Sequence, residues 1–292
     1  MLWIPVTIAA AACQVARNAA QRSLMGASGP WGATLVRFLF GLPFTLVFLA
    51  VALLLLPHAL KPGWIFLGWS ALGAAAQVAA TAALLLAMQR SSFALGTAFQ
   101  QSGLPFAAVV GLVVFGDQLS LAAWLGVALA TAGLMALSWP ARIEGPRDWS
   151  AAGLGTLSGG IFAISANAFR QATLGLDPAH PLPAALATVA VVQALQAGGL
   201  GLWMAIFQRS ALMVVLASWR VSMGAGLFGA LASSGWFLAL ALSPAGPVRA
   251  VGVVEMPMAA LAGRRLFAER ITARQWLFGG VTALGVVLAA LA

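Results

Sequence analysis

Four polar residues near the N-terminus, Gln14, Arg17, Asn18 and Gln21, stand at i, i+3, i+4 and i+7 in an otherwise largely apolar stretch. That spacing puts all four on one face of a helix. Amide and guanidinium groups are costly in hydrocarbon, so such a face turns toward a partner helix or a water-filled path. Amides both donate and accept hydrogen bonds, which suits zwitterionic or uncharged polar cargo. Arg17 adds a cation able to attract a carboxylate. The competing account is hydrogen bonding between helices, a common use of Gln, Asn and Ser in membranes. Four groups on one face are more than such bonding requires.

Other apolar stretches carry the same kind of residue. Gln77 and Thr81 share a face; Gln100, Gln101 and Ser102 precede Pro105; Ser158, Ser165 and Asn167 follow, then Gln193 and Gln196, then Ser233, Ser234 and Trp236. Glu255 is the one acid expected near a bilayer centre, and it stands beside Pro257. An intramembrane carboxylate is a candidate proton relay; the alternatives are an ion pair, with Arg17 for instance, or a hydrogen bond to backbone exposed near Pro257. The expected substrate-lining set is Gln14, Arg17, Asn18, Gln77, Thr81, Gln100, Gln101, Asn167, Trp236 and Glu255. Pro105 and Pro257 each interrupt an expected span and are candidate hinges, or else fixed bends.

Several chemistries find no support in these residues. There is no HExxH and no phosphate-binding Gly-x-x-x-x-Gly-Lys-[Ser/Thr] motif. The single cysteine, Cys13, excludes an internal disulfide and a Cys-based metal cluster, and His58 and His180 fall in expected loops. No enzyme activity, cofactor or resident metal is expected.

The elements that must position the polar residues follow from composition. Hydrophobic residues make up 62% of the 292, against only 15 Lys and Arg and 6 Asp and Glu. A soluble domain is about 45–50% apolar and about 25% charged. With roughly 20 residues per span, the chain has room for about ten. Breaks at Gly, Pro and charge place them at 3–25, 31–56, 64–88, 93–115, 121–139, 150–173, 183–207, 218–242, 247–267 and 273–291. The net charge of +9 sits mostly at span ends, which makes it a set of topology anchors and lipid headgroup contacts, with no nucleic acid partner implied.

The charged stretch "FAERIT", Phe267 to Thr272, has an upstream echo in "FGDQLS", Phe115 to Ser120, at an offset of 152. At the same offset Pro105 meets Pro257, Gly111 meets Gly263, Trp124 meets Trp276 and Gly133 meets Gly285. The chain therefore reads as an all-α membrane protein of ten helices in two five-helix repeats, residues 1–139 and 150–292, joined by a linker at 140–149. Five is odd, so the second repeat enters the membrane inverted, as in many secondary transporters.

Two copies of a five-span unit with an acid, Leu or Ile, Ser or Thr, and then Trp-Leu resemble the EamA-type branch of the drug/metabolite transporter superfamily. The family form is nearer Gly-Glu-Arg-Leu-Ser/Thr; here the copies read Gly116-Asp117-Gln118 and Ala268-Glu269-Arg270. The resemblance implies a bacterial inner-membrane exporter of amino acids, the aromatic ones among them, or of related metabolites. Export of drugs, lipid handling or a non-catalytic membrane role are the alternatives. The implied partners are a small-molecule substrate, the lipid bilayer and protons. The resemblance also implies cytoplasmic termini. The charge rule points the other way, since odd-numbered connections and their flanks carry ten Arg and even-numbered ones only Lys61, Arg170 and Arg249.

Overall fold

The computed structural model describes residues 1–22, 25–56, 59–90, 99–138, 145–255, 258 and 273–291. Among them the chain is helical and has no strand. The helices are α1 (Trp3–Arg22), α2 (Met25–Leu39), α3 (Leu42–Leu55), α4 (Trp64–Arg90), α5 (Gly103–Phe115), α6 (Leu121–Ser138), α7 (Gly145–Leu176), α8 (Pro181–Phe207), α9 (Arg209–Ala217), α10 (Trp219–Leu242), α11 (Ala245–Gly252) and α12 (Ala273–Leu291). The "FAERIT" stretch and Pro257 lie outside the described residues.

Among the described residues, five stretches are long and apolar enough to cross a bilayer: Ser28–Leu55, Trp64–Ala87, Asp148–Leu176, Pro181–Phe207 and Trp219–Leu242. Trp64, Leu121 and Val113 are each at least three-quarters exposed, an arrangement suited to lipid and not to water. The chain is thus read as a membrane protein. α1 is absent from the five because its polar face lowers its hydropathy. α5, with 13 residues, rises about 20 Å, less than the hydrocarbon thickness of about 30 Å.

The expected boundaries shift for local reasons. The span expected at 31–56 is two helices, α2 and α3, with a turn at Phe40–Gly41. Pro43 sits in the first turn of α3, where its missing N–H breaks no helical bond but prevents continuation from α2. Residues from Gly145 onward, expected in the linker, begin α7 instead. The stretch 209–217, expected as a connection, is helix α9. Pro105 lies in the first turn of α5, and the chain before it is interrupted by a turn at Gln101–Ser102. A proline is tolerated in that position, and the break falls where it removes the donor to residue 101.

The chain divides into two compact units, each drawing on both halves of the sequence. The first comprises Leu2–Ala74 and Ala168–Leu242; the second comprises Ala75–Asn167 and Ser243–Ala292, with Met1. The core of the first includes Leu35, Val36, Leu200, Met204, Val215 and Ala225. The second has one cluster of Ala108, Val127, Ala250 and Ala289 and another of Leu104, Leu134 and Val253.

In the second unit α6 packs along α12, and α5 along α11; in the first, α3 packs along α8 and α1 along α10. The α6–α12 contact depends on small residues. A Cβ on Gly133 would meet Thr282 Oγ1 and, at 3.0 Å, Phe278 O; one on Gly285 would meet Ala130 N and, at 2.8 Å, Gly126 O. As numbers rise along α6 they fall along α12, so the two helices are antiparallel.

Candidate functional site

Among the expected site residues the first unit holds Gln14, Arg17, Asn18 and Trp236; the second holds Gln77, Thr81, Gln100, Gln101, Asn167 and Glu255. In the first unit α1 and α10 run side by side because Gly235 lets Ala10 approach: a Cβ on this glycine would be 2.8 Å from that of Ala10. The approach brings Trp236 Nε1 within 3.0 Å of Gln14 Oε1, to which it donates. An indole N–H in an apolar span seeks such an acceptor.

One turn further along α1, Arg17 is 92% buried, with 8% exposed. Its Nε and Nη2 donate to Asn18 Oδ1 at 3.2 and 2.8 Å. Asn18 itself is exposed, so of the expected polar face Gln14 and Arg17 turn toward α10 while Asn18 buttresses the guanidinium. Gly229 of α10 makes room for two arginines. A Cβ there would be 3.4 Å from Arg17 Cδ and 3.7 Å from Arg37 Cβ. Arg37 Nε is buried with no hydrogen-bond partner among the described residues, and its guanidinium lies 4.4 Å from the centre of the Phe38 ring. Two cations thus flank one glycine, in a unit whose sequence contains a single acid, Asp177.

Asp177 is engaged in the turn between α7 and α8. It accepts from the N–H groups of Ala179 and His180 at 3.0 and 3.3 Å and meets His180 Nδ1 at 2.9 Å. Burial pushes its carboxyl up, but the bonds from His180 and Ala179 together outweigh that and hold it below its ordinary value.

Other polar groups of this unit bind helix to helix. Thr45 Oγ1 donates to Gln193 Oε1 at 2.8 Å in a fully buried pair, and Gln196 Nε2 reaches Ala74 O at 3.4 Å. Arg170 Nη1 donates to Leu240 O at 2.8 Å. Phe169 and Phe237 stack with ring centres 4.4 Å apart.

In the second unit Thr81 Oγ1 donates to the carbonyl of Gln77 in its own helix at 2.8 Å, a local use of the hydroxyl. Gln77, Gln100, Gln101 and Glu255 are half-buried. Asn167 is fully buried, and its Nδ2 donates to Ala107 O at 3.1 Å and Ala163 O at 3.0 Å. Arg37 and Asp117 were outside the expected set although both carry charge near these groups. Arg37 was readable as an intraspan cation. Asp117 stands in the FGDQLS copy of the matched stretch.

No family model matches the chain, and no curated protein does. Solved structures match in fold. One crystal structure overlaps 98% of this chain and 96% of its own chain, with a TM-score of 0.72 and 17% identity. At that identity the likeness is one of fold alone.

Proposed function

We propose that this chain is a secondary transporter of the bacterial inner membrane that exports small polar metabolites, amino acids foremost and the aromatic ones among them, by alternating access. Its architecture is then ten membrane helices in two inverted five-helix repeats, of the EamA type, with both termini cytoplasmic. The observation that carries this reading is the α6–α12 contact. Gly133 and Gly285 are repeat mates at the offset of 152, and so are Ala130 and Thr282, and Gly126 and Phe278. Gly133 meets the mates of the residues that Gly285 meets. Such reciprocity is the mark of a two-fold axis, and antiparallel mates are what inversion of a repeat produces. The packing of α3 on α8 and of α5 on α11 pairs further expected mates, spans two with seven and four with nine. Inverted repeats of this kind are a transporter architecture.

The cargo class is supported by the first unit. Arg17 and Arg37 beside Gly229 offer positive charge to a carboxylate, and the Gln14–Trp236 pair offers an amide and an aromatic face within the same helix pair. The test is export by cells carrying Arg17→Gln, measured for a radiolabelled amino acid and for its uncharged-carboxyl amide. Loss of at least tenfold for the acid, with a smaller effect on the amide and an unchanged melting temperature, is expected. Parental export of both compounds would remove Arg17 from the site.

A further inference from the structure

Donors and acceptors on the α1 face are fixed by the chemistry of their partners. An indole N–H only donates, so the Gln14 atom that Trp236 Nε1 meets at 3.0 Å is the amide oxygen. A guanidinium also only donates, so the Asn18 atom that Arg17 Nε and Nη2 meet at 3.2 and 2.8 Å is the amide oxygen too. Each amide is thereby held in one orientation, with its oxygen taken up by a neighbouring side chain and its NH2 group turned elsewhere.

The result is a face that offers donors. Gln14 and Arg17 are neighbours one helical turn apart, about 5–6 Å between their Cβ atoms. Whatever else meets Gln14 Nε2, Asn18 Nδ2 or the guanidinium must be an acceptor. Beside Gly229, Arg37 adds a second guanidinium, and its Nε is buried with no hydrogen-bond partner among the described residues. The one acid of this unit, Asp177, is engaged by Ala179 and His180 in the α7–α8 turn. Ser233 and Ser234, just before Trp236 on α10, carry hydroxyls that can turn to donate. Gln14 and Trp236 are half-buried and Asn18 is exposed, so the helix pair does not seal this face.

A zwitterion brings two opposite charges to such a face. Its carboxylate finds donors. Its ammonium, which can only donate, finds two like charges and, in this unit, no carboxylate but that of the turn. We propose that this site recognises its ligand through the carboxylate alone, so that its substrate class extends to aromatic carboxylates without an α-ammonium, arylpropionates and 2-oxo acids, which it takes more tightly than amino acids. Trp236 supplies the apolar wall, and Gln14 and Arg17 supply the donors. The inference deepens the transporter reading of the same site and rests on it for movement across the membrane; the binding preference does not depend on it.

The test is calorimetry on the purified full chain in lipid nanodiscs at neutral pH, corrected with empty nanodiscs. The probes are 3-phenylpropionate, phenylalanine and 2-phenylethylamine, which share a ring and carry the carboxylate alone, both groups, or the ammonium alone. Phenylpropionate should bind severalfold more tightly than phenylalanine, and phenylethylamine should not bind. Trp236→Phe keeps a ring but loses the N–H, so Gln14 can turn its oxygen outward and the preference should shrink toward parity. Should that variant fail to fold, Asn18→Asp serves instead: at an exposed position it adds the missing negative charge, and phenylpropionate should lose more affinity than phenylalanine. Phenylalanine bound as tightly as phenylpropionate by the parent, no binding of either, or a preference unchanged in the folded variants overturns the proposal. Phenylpropionate binding with no counterflow of any probe in proteoliposomes would leave the site standing and remove the transporter reading. Counterflow of phenylalanine without the preference would do the reverse.

Discussion

Gly133 and Gly285, 152 residues apart, each lie against the other's helix: Gly133 beside Phe278 O and Gly285 beside Gly126 O. The same two positions were matched by sequence alone. Under the proposed repeat the matched pair is also a contacting pair, because each glycine admits the partner backbone where a methyl would not fit.

Gly133→Ala and Gly285→Ala should therefore each destabilise the chain, by about 1–3 kcal/mol, the range for overpacking a close contact. Gly279→Ala on α12, where a Cβ would meet nothing within 4 Å, is the control and should leave the melting temperature in detergent unchanged or slightly raised, since Ala is the better helix former. Equal destabilisation at Gly279 and Gly285 would mean that contact with α6 does not set the cost, since helix propensity alone favours Ala.

Inversion makes a second expectation. With Cys13 replaced by Ser, cysteines are placed singly at Gln118 and Arg270, matched positions of the proposed repeats at the offset of 152. A membrane-impermeant maleimide should label them from opposite sides of the membrane. Labelling of both from the same side would exclude inverted repeats whatever the cargo.

Asn18→Leu removes the acceptor that holds the Arg17 guanidinium at 2.8 and 3.2 Å. Asn18 is exposed, so its loss should cost little stability, about 0.6 kcal/mol for a membrane hydrogen bond. Transport should fall severalfold, chiefly through KM, because the cation is no longer aimed. A lowered melting temperature with full activity per folded molecule would instead make this residue structural.

The turn between α7 and α8 has a pH dependence of defined sign. Because the Asp177 carboxyl is held below its ordinary value, its contribution is complete above about pH 3.9, the unperturbed value, and is lost as pH falls through the lowered one. Hydrogen exchange at the amides of Ala179 and His180, corrected for intrinsic rates, should be slow from neutral pH down to about pH 4 and speed up below it. Asp177→Ala should abolish that protection at every pH. Protection lost near neutrality would contradict the assigned bonds.

What was legible in the sequence was what periodicity and composition encode locally. The α1 face could be read because Gln14 and Arg17 stand one turn apart; that Trp236 would be the partner of Gln14, 222 residues away, could not, since no local spacing records it. The Thr45–Gln193 bond was hidden for the same reason. α9 was missed because nine residues are too few for a span and begin with Arg209.

The central claim is transport, and it is tested most directly by counterflow in proteoliposomes of the purified chain. Vesicles preloaded with one unlabelled amino acid are diluted into a trace of the same compound carrying label, across a panel that includes phenylalanine, tryptophan, threonine and glutamine. The account predicts transient accumulation of at least one labelled amino acid above protein-free liposomes, abolished when both Arg17 and Arg37 are changed to Gln in a variant that still folds. No accumulation of any amino acid by folded protein would contradict it.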